Sequence, residues 1–112
     1  MLFIVIYSSL EWKFKREIKM ETNIKSYFSD HNWTLVNENR KAKKSFKFKK
    51  FTEAFAWMTE VAFEADKLEH HPDWTNVYNT GNVLLSTHDA NNLTEKDILL
   101  AKFMEKTFEK FN

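Results

Sequence analysis

The 112-residue chain contains no cysteine, one proline (Pro72) and one glycine (Gly81). The missing thiols exclude a disulfide framework, a thiolate metal site and a cysteine nucleophile, and they fit a reducing cytoplasm. Long apolar runs are also scarce. The opening MLFIVIYSSL holds about seven apolar residues, too few to span a bilayer, and lacks the basic start and small-residue cleavage pattern of an export signal. Charge of one sign is missing too: a net charge of +1 gives no global field that selects nucleic acid or membrane. What is present is apolar and aromatic, with 43% hydrophobic residues and 11 phenylalanines, enough for one domain with its own core.

Charge is distributed unevenly. The stretch 40–50 carries Arg40, Lys41, Lys43, Lys44, Lys47, Lys49 and Lys50 and no acid, so the rest of the chain is net acidic. Residues 1–19 connect poorly to the segment after them and read as an N-terminal extension, or as a start misplaced upstream of Met20, with the domain proper at 20–112.

Periodicity predicts a short helix over 20–28, a strand over 33–36, a turn at 37–39 and a strand over 42–48 in which Phe46 and Phe48 alternate with lysines. A long helix over 53–70 comes next, with Thr52 as its cap, and Pro72 stops it at the His70–His71 pair. The partial negative charge of that helix end favours imidazolium. The segment 73–85 alternates on either side of Asn79–Thr80 and reads as a hairpin. A two-residue loop there would set Tyr78 against Gly81, Trp74 against Leu85 and His71 against His88, bringing three of the four histidines together. Thr94 and Asp97 resemble a capping box, with Leu93 and Ile98 at staple positions, before a last helix to about Phe111. Its apolar residues cover more than one stripe, which suggests a second face buried against another subunit. The expected fold is α+β, in the order α-β-β-α-β-β-α, with a four-stranded antiparallel sheet and its helices on one face.

Three convergent histidines suit proton transfer near neutral pH, because histidine gives and takes a proton there without a large shift. Asp66, one turn before His70, and Asp89 are placed to orient imidazoles. Three histidines could instead hold a catalytic zinc, although no His-Glu-x-x-His pattern is present. Asp97 reads as a helix cap, and Trp33, Trp74 and Tyr78 as core. A rival class is a nucleic-acid or transcription-factor binding module using the basic ribbon 40–50 or an oligomer surface. Strict alternation, however, puts its phenylalanines and lysines on opposite faces.

Asp66, His70-His71-Pro72, Tyr78, His88 and Asp97 stand at the spacing of a known signature. Trp33, Phe46-x-Phe48-x-x-Phe51, Ala54-Phe55 and Asn76-Val77-Tyr78-Asn79 agree with it outside that core. On these residues, over about 20–108, the chain resembles the pterin-4a-carbinolamine dehydratase family, also called dimerization cofactor of a hepatocyte nuclear factor. It departs from the family where Gly81 stands for a valine and where Asn91 and Asn92 stand for two glycines. Asparagine tolerates the left-handed backbone better than other side chains, so that loop can survive, whereas Gly81 gives up a packed side chain and would loosen the hairpin.

The resemblance implies removal of water from 4a-hydroxytetrahydropterin to give quinonoid dihydropterin, the recycling step after aromatic amino acid hydroxylation. No cofactor and no metal are implied. It implies His70 and His88 as the acid and base pair and His71 as the residue that binds and orients the pterin. Pro72, Thr87, Asp89 and Ala90 would complete the substrate-binding set, supported by Asp66, Trp33 and Asp97. It further implies a cytoplasmic homodimer or homotetramer, with a pterin-dependent hydroxylase as pathway partner and no membrane or nucleic acid.

Overall fold

The computed structural model describes residues 8–111. Helix α1 (Ser9–Asp30) leads to strands β1 (Thr34–Val36) and β2 (Lys41–Lys47), helix α2 (Phe51–Leu68), strands β3 (Asp73–Val77) and β4 (Thr80–Leu85), a 3-10 turn (His88–Ala90), helix α3 (Glu95–Phe108) and a closing 3-10 turn (Glu109–Phe111). The four strands form one antiparallel sheet in the order β1-β2-β4-β3. The expected α+β order and the antiparallel sheet are therefore observed.

The core lies between the sheet and the helices. Ala42, Phe46, Val83 and Leu85 point from the central strands toward Trp57, Val61 and Ala65 of α2 and Leu100 and Met104 of α3, all buried. The Trp57 indole donates to the Met104 carbonyl at 2.9 Å, so its one polar atom is satisfied inside the core. Gly81 has an ordinary negative φ, and a Cβ there would come within 3.2 Å of the Trp57 ring. The space that the missing side chain would fill is occupied by Trp57, which corrects the expectation of a loosened hairpin.

Three departures from expectation bear on the fold. First, α1 begins at Ser9, not Met20, because the Ser8 hydroxyl accepts from the Glu11 amide at 3.2 Å and the run after it is made of good helix formers without glycine or proline. Every residue from 8 to 23 is nonetheless exposed, and only Ile24 and Phe28 of this helix are buried. Second, α2 starts one residue before Thr52, with Lys50 in the cap position and no side-chain cap. Third, the hairpin turns at Tyr78–Asn79, pairing Val77 with Thr80 and Trp74 with Val83.

The turn sits there because Asn76 Nδ2 donates to the carbonyls of Tyr78 (3.0 Å) and Thr80 (2.9 Å). Asn79 fixes it further by exchanging bonds with the Phe48 backbone, its carbonyl accepting and its side chain donating, both at 2.8 Å. Trp74 stays on the core face in either register, since a two-residue shift preserves the side-chain parity. Tyr78 does not: it becomes an exposed turn residue with φ 50°.

Candidate active site

Helix α2 ends in a Schellman motif. Glu69 adopts the left-handed conformation (φ 52°), its amide bonds the Asp66 carbonyl at 3.1 Å, and the His70 amide reaches back to the Ala65 carbonyl at 3.0 Å. This closure turns His70 inward and leaves His71 outside. His70 is 8% exposed, while the His71 side chain is open to solvent.

His70 Nε2 lies 2.6 Å from Oδ1 of Asp97, a carboxylate with no exposed surface. The other oxygen, Oδ2, accepts from the Thr94 amide at 2.9 Å and from the Thr87 hydroxyl at 2.8 Å. Asp97 thus performs two tasks. It closes the capping box at the start of α3, as its spacing from Thr94 predicts, and it anchors His70, which sequence reasoning did not assign to it. When Asp97 is ionised it can only accept, which makes His70 Nε2 the donor of this bond and leaves Nδ1 outside it.

His71 Nε2 pairs with Asp66 Oδ1 at 2.9 Å on the surface. Asp66 therefore serves His71 rather than His70: the chain reversal at Glu69 rotates His70 away from the helix face that carries Asp66. The two adjacent imidazoles bond separate carboxylates on opposite sides of the chain, and among the described residues no group of three or more His, Asp or Glu is placed to share an ion.

His88 opens the 3-10 turn after β4. The hairpin register does not oppose it to His71; continued past the strand ends, that register sets Ser86 there. The neighbouring Thr87 is what links His88 to the site, since it is bonded to the same carboxylate that anchors His70. Among the described residues no hydrogen bond or ion pair constrains the exposed His88 ring, and Asp89 and Ala90 beside it are exposed as well. Asn91 closes this turn with φ 48°, the left-handed backbone for which asparagine was expected to substitute for glycine.

Trp33 lies elsewhere. Its indole donates to Glu105 Oε1 at 2.7 Å, eight residues along α3 from Asp97, or about 12 Å at the usual helical rise. It belongs with Tyr27, Lys44 and Glu105 in a partly buried polar cluster under the sheet. The basic ribbon is divided as its alternation predicts: Phe46 and Phe48 are buried on the helix side, and Lys43 and Lys47 are exposed on the open face of the sheet. Lys44 is drawn inside, 3.3 Å from Glu105, and Arg40 pairs with Glu38 at 2.9 Å. No aromatic stacking surface flanked by cations results.

Among the described residues no helix is long and apolar enough to cross a membrane. The family model described as pterin 4 alpha carbinolamine dehydratase matches residues 11–107. A Rhizobium rhizogenes protein named for pterin-4-alpha-carbinolamine dehydratase is 55% identical over 74 residues, covering 66% of this chain and 73% of its own length. A Jannaschia protein named for the same activity is 47% identical over 78 residues, covering 70% and 80%. The crystal structure of a transcriptional coactivator/pterin dehydratase from Brucella melitensis superposes with a TM-score of 0.65 at 44% identity, covering 67% of this chain and 80% of that one.

Proposed function

The chain belongs to the pterin 4 alpha carbinolamine dehydratase family, and from that premise we propose that it removes water from 4a-hydroxytetrahydropterin to give quinonoid dihydropterin by histidine acid and base catalysis. The observation that carries the reading is the buried His70–Asp97 pair at 2.6 Å, with Thr87 joining the His88 turn to the same carboxylate. Expelling the 4a-hydroxyl needs a proton delivered to the leaving oxygen and one taken from the ring nitrogen. His70, with Nε2 engaged by Asp97, has Nδ1 as the ring atom outside that bond. His88, unconstrained and exposed, is free to act as its complement. His71, steadied by Asp66 at the surface, binds and orients the pterin, with Pro72, Asp89 and Ala90 around it.

Replacing His70 or His88 by alanine tests this reading. Each variant is expected to lose about a hundred to ten thousand fold in the accelerated decay of 4a-hydroxypterin absorbance, the usual worth of a positioned acid or base, while keeping its circular dichroism. Turnover at the wild-type rate in both variants would remove the assigned roles.

We take the domain that does this work to be 20–112, a reading supported by the exposure of every residue from 8 to 19. It is cytoplasmic, serves a pterin-dependent hydroxylase by recycling its cofactor, and assembles as a homodimer or homotetramer. Phe51, Phe55 and Phe63 on α2 and Leu99 on α3 are large apolar side chains left exposed by the isolated chain, and they supply the surface for that assembly. The Brucella melitensis relative is described as a coactivator as well as a dehydratase, and here the same α2 surface would serve a protein partner. A nucleic-acid role for the ribbon 40–50 predicts binding to single-stranded DNA that weakens steeply with salt and with loss of Lys43 and Lys47.

A further inference from the structure

Thr87 emerges from the resemblance as a substrate-binding residue, yet its hydroxyl is already committed. The Thr87 hydroxyl donates its one proton to Asp97 Oδ2 at 2.8 Å. The 2.6 Å contact between the Thr87 and Thr94 hydroxyls must then run from Thr94 to Thr87. Thr94 Oγ1 in turn accepts from the Lys96 amide at 3.3 Å. The result is one directed chain, from the first turn of α3 through Thr94 and Thr87 to the buried Asp97 carboxylate, whose other oxygen holds the His70 imidazole at 2.6 Å. Bonds in such a chain polarise one another in a water-poor setting, so loss of any donor reaches the far end.

The Thr87 backbone does a separate job. Its amide donates to the Asn92 carbonyl at 2.9 Å, and its carbonyl accepts from the Ala90 amide at 3.2 Å, which closes the turn that carries His88. One residue therefore bonds with its main chain to the loop of one histidine and with its side chain to the anchor of the other.

We propose that Thr87 is a positioning residue, which sets the placement of His88 relative to His70 by tying the 3-10 turn to the Asp97 carboxylate. The proposal rests on the dehydratase reading above and deepens it: Thr87 acts through the histidines and not on the pterin.

The test compares wild type, Thr87→Val and Thr87→Ser in the intact chain by steady-state kinetics and by 15N-edited NMR of the histidine rings. Valine keeps the shape and removes the hydroxyl; serine restores it. In Thr87→Val, kcat should fall about tenfold to a hundredfold, the range that a small misplacement of reacting groups produces, with KM changed less than about twofold. The His70 Nε2–H proton and the His88 ring resonances should shift together. Thr87→Ser should recover both rate and resonances. A raised KM with unchanged kcat would make Thr87 a substrate contact and overturn the proposal. So would unshifted resonances in Thr87→Val, or a Thr87→Ser protein that behaves like the valine variant. If Thr87→Val does not fold, Thr87→Ala, which also removes the hydroxyl, takes its place: shifted ring resonances with a lowered kcat uphold the proposal, and unshifted resonances overturn it. Absence of dehydratase activity in the wild type would sink the functional reading while the ring resonances still judge the positioning claim.

Discussion

The Tyr27 hydroxyl donates to Glu105 Oε2 at 2.9 Å while Trp33 donates to the other oxygen of the same carboxylate. Burial first, and then the hydrogen bond and charge of Glu105, push the phenol above its ordinary value of 10.0. The folded chain therefore keeps this proton over a pH range in which the unfolded chain has released it. Folded protein binds more protons there, so stability present below pH 10.0 is lost as pH rises beyond it. Urea midpoints measured between about pH 8 and 11 should fall more steeply for wild type than for Tyr27→Phe. Parallel declines would place the alkaline sensitivity elsewhere. The cluster was invisible in the sequence, which marks Trp33 and Tyr27 as apolar but says nothing of a glutamate some seventy positions away. Gly81 teaches the same lesson in reverse: an apparent loss of packing became contact with Trp57 once the strands and α2 were brought together.

Local elements were legible where their signals are local. The alternation of Phe46 and Phe48, the capping box at Thr94 and the left-handed Asn91 all depend on neighbours a few residues away. The end of α2 shows how local chemistry sets a candidate site residue: Glu69 accepts a left-handed backbone so that His70 can turn inward. A non-glycine residue pays a steric penalty in that conformation. Glu69→Gly should raise stability by about 0.5–1 kcal/mol, read from the urea midpoint, with dehydratase turnover unchanged. A lower midpoint would mean that the Glu69 side chain contributes more than its backbone strain costs. The hairpin register was misplaced for a physical reason. Asn79–Thr80 and Tyr78–Asn79 are both weak two-residue loops by composition, and the choice between them is made by side-chain bonds from Asn76 and by the end of β2.

At the scale of the whole molecule, α1 divides into a packed end and an exposed start. An isolated helical stretch of eleven residues is marginal in water, and none of residues 9–19 is buried. A chain beginning at Met20 should unfold cooperatively at a midpoint near that of the full chain and keep dehydratase activity. Loss of either would make residues 1–19 part of the domain. The exposed phenylalanines of α2 lead to a second expectation. Wild type should run in light scattering at a multiple of the 13.5 kDa chain mass, and Phe55→Glu should shift it toward that single mass, because a charge buried in an apolar interface has no partner. A wild-type mass of 13.5 kDa would end the oligomer proposal.

The sequence by itself determined the element order, the faces of the strands, the two helix ends that carry His70 and Asp97, and the signature that marks the family. These arise from side-chain periodicity, backbone preference and capping, which act over a few residues. Only the tertiary structure decided that β4 lies beside β2, that Asp97 bonds His70 while Asp66 bonds His71, and that Thr87, the neighbour of His88, bonds the carboxylate that holds His70. Those pairings join residues far apart in the chain. A buried carboxylate takes whichever donors the packed core brings within reach, and sequence spacing alone does not rank them.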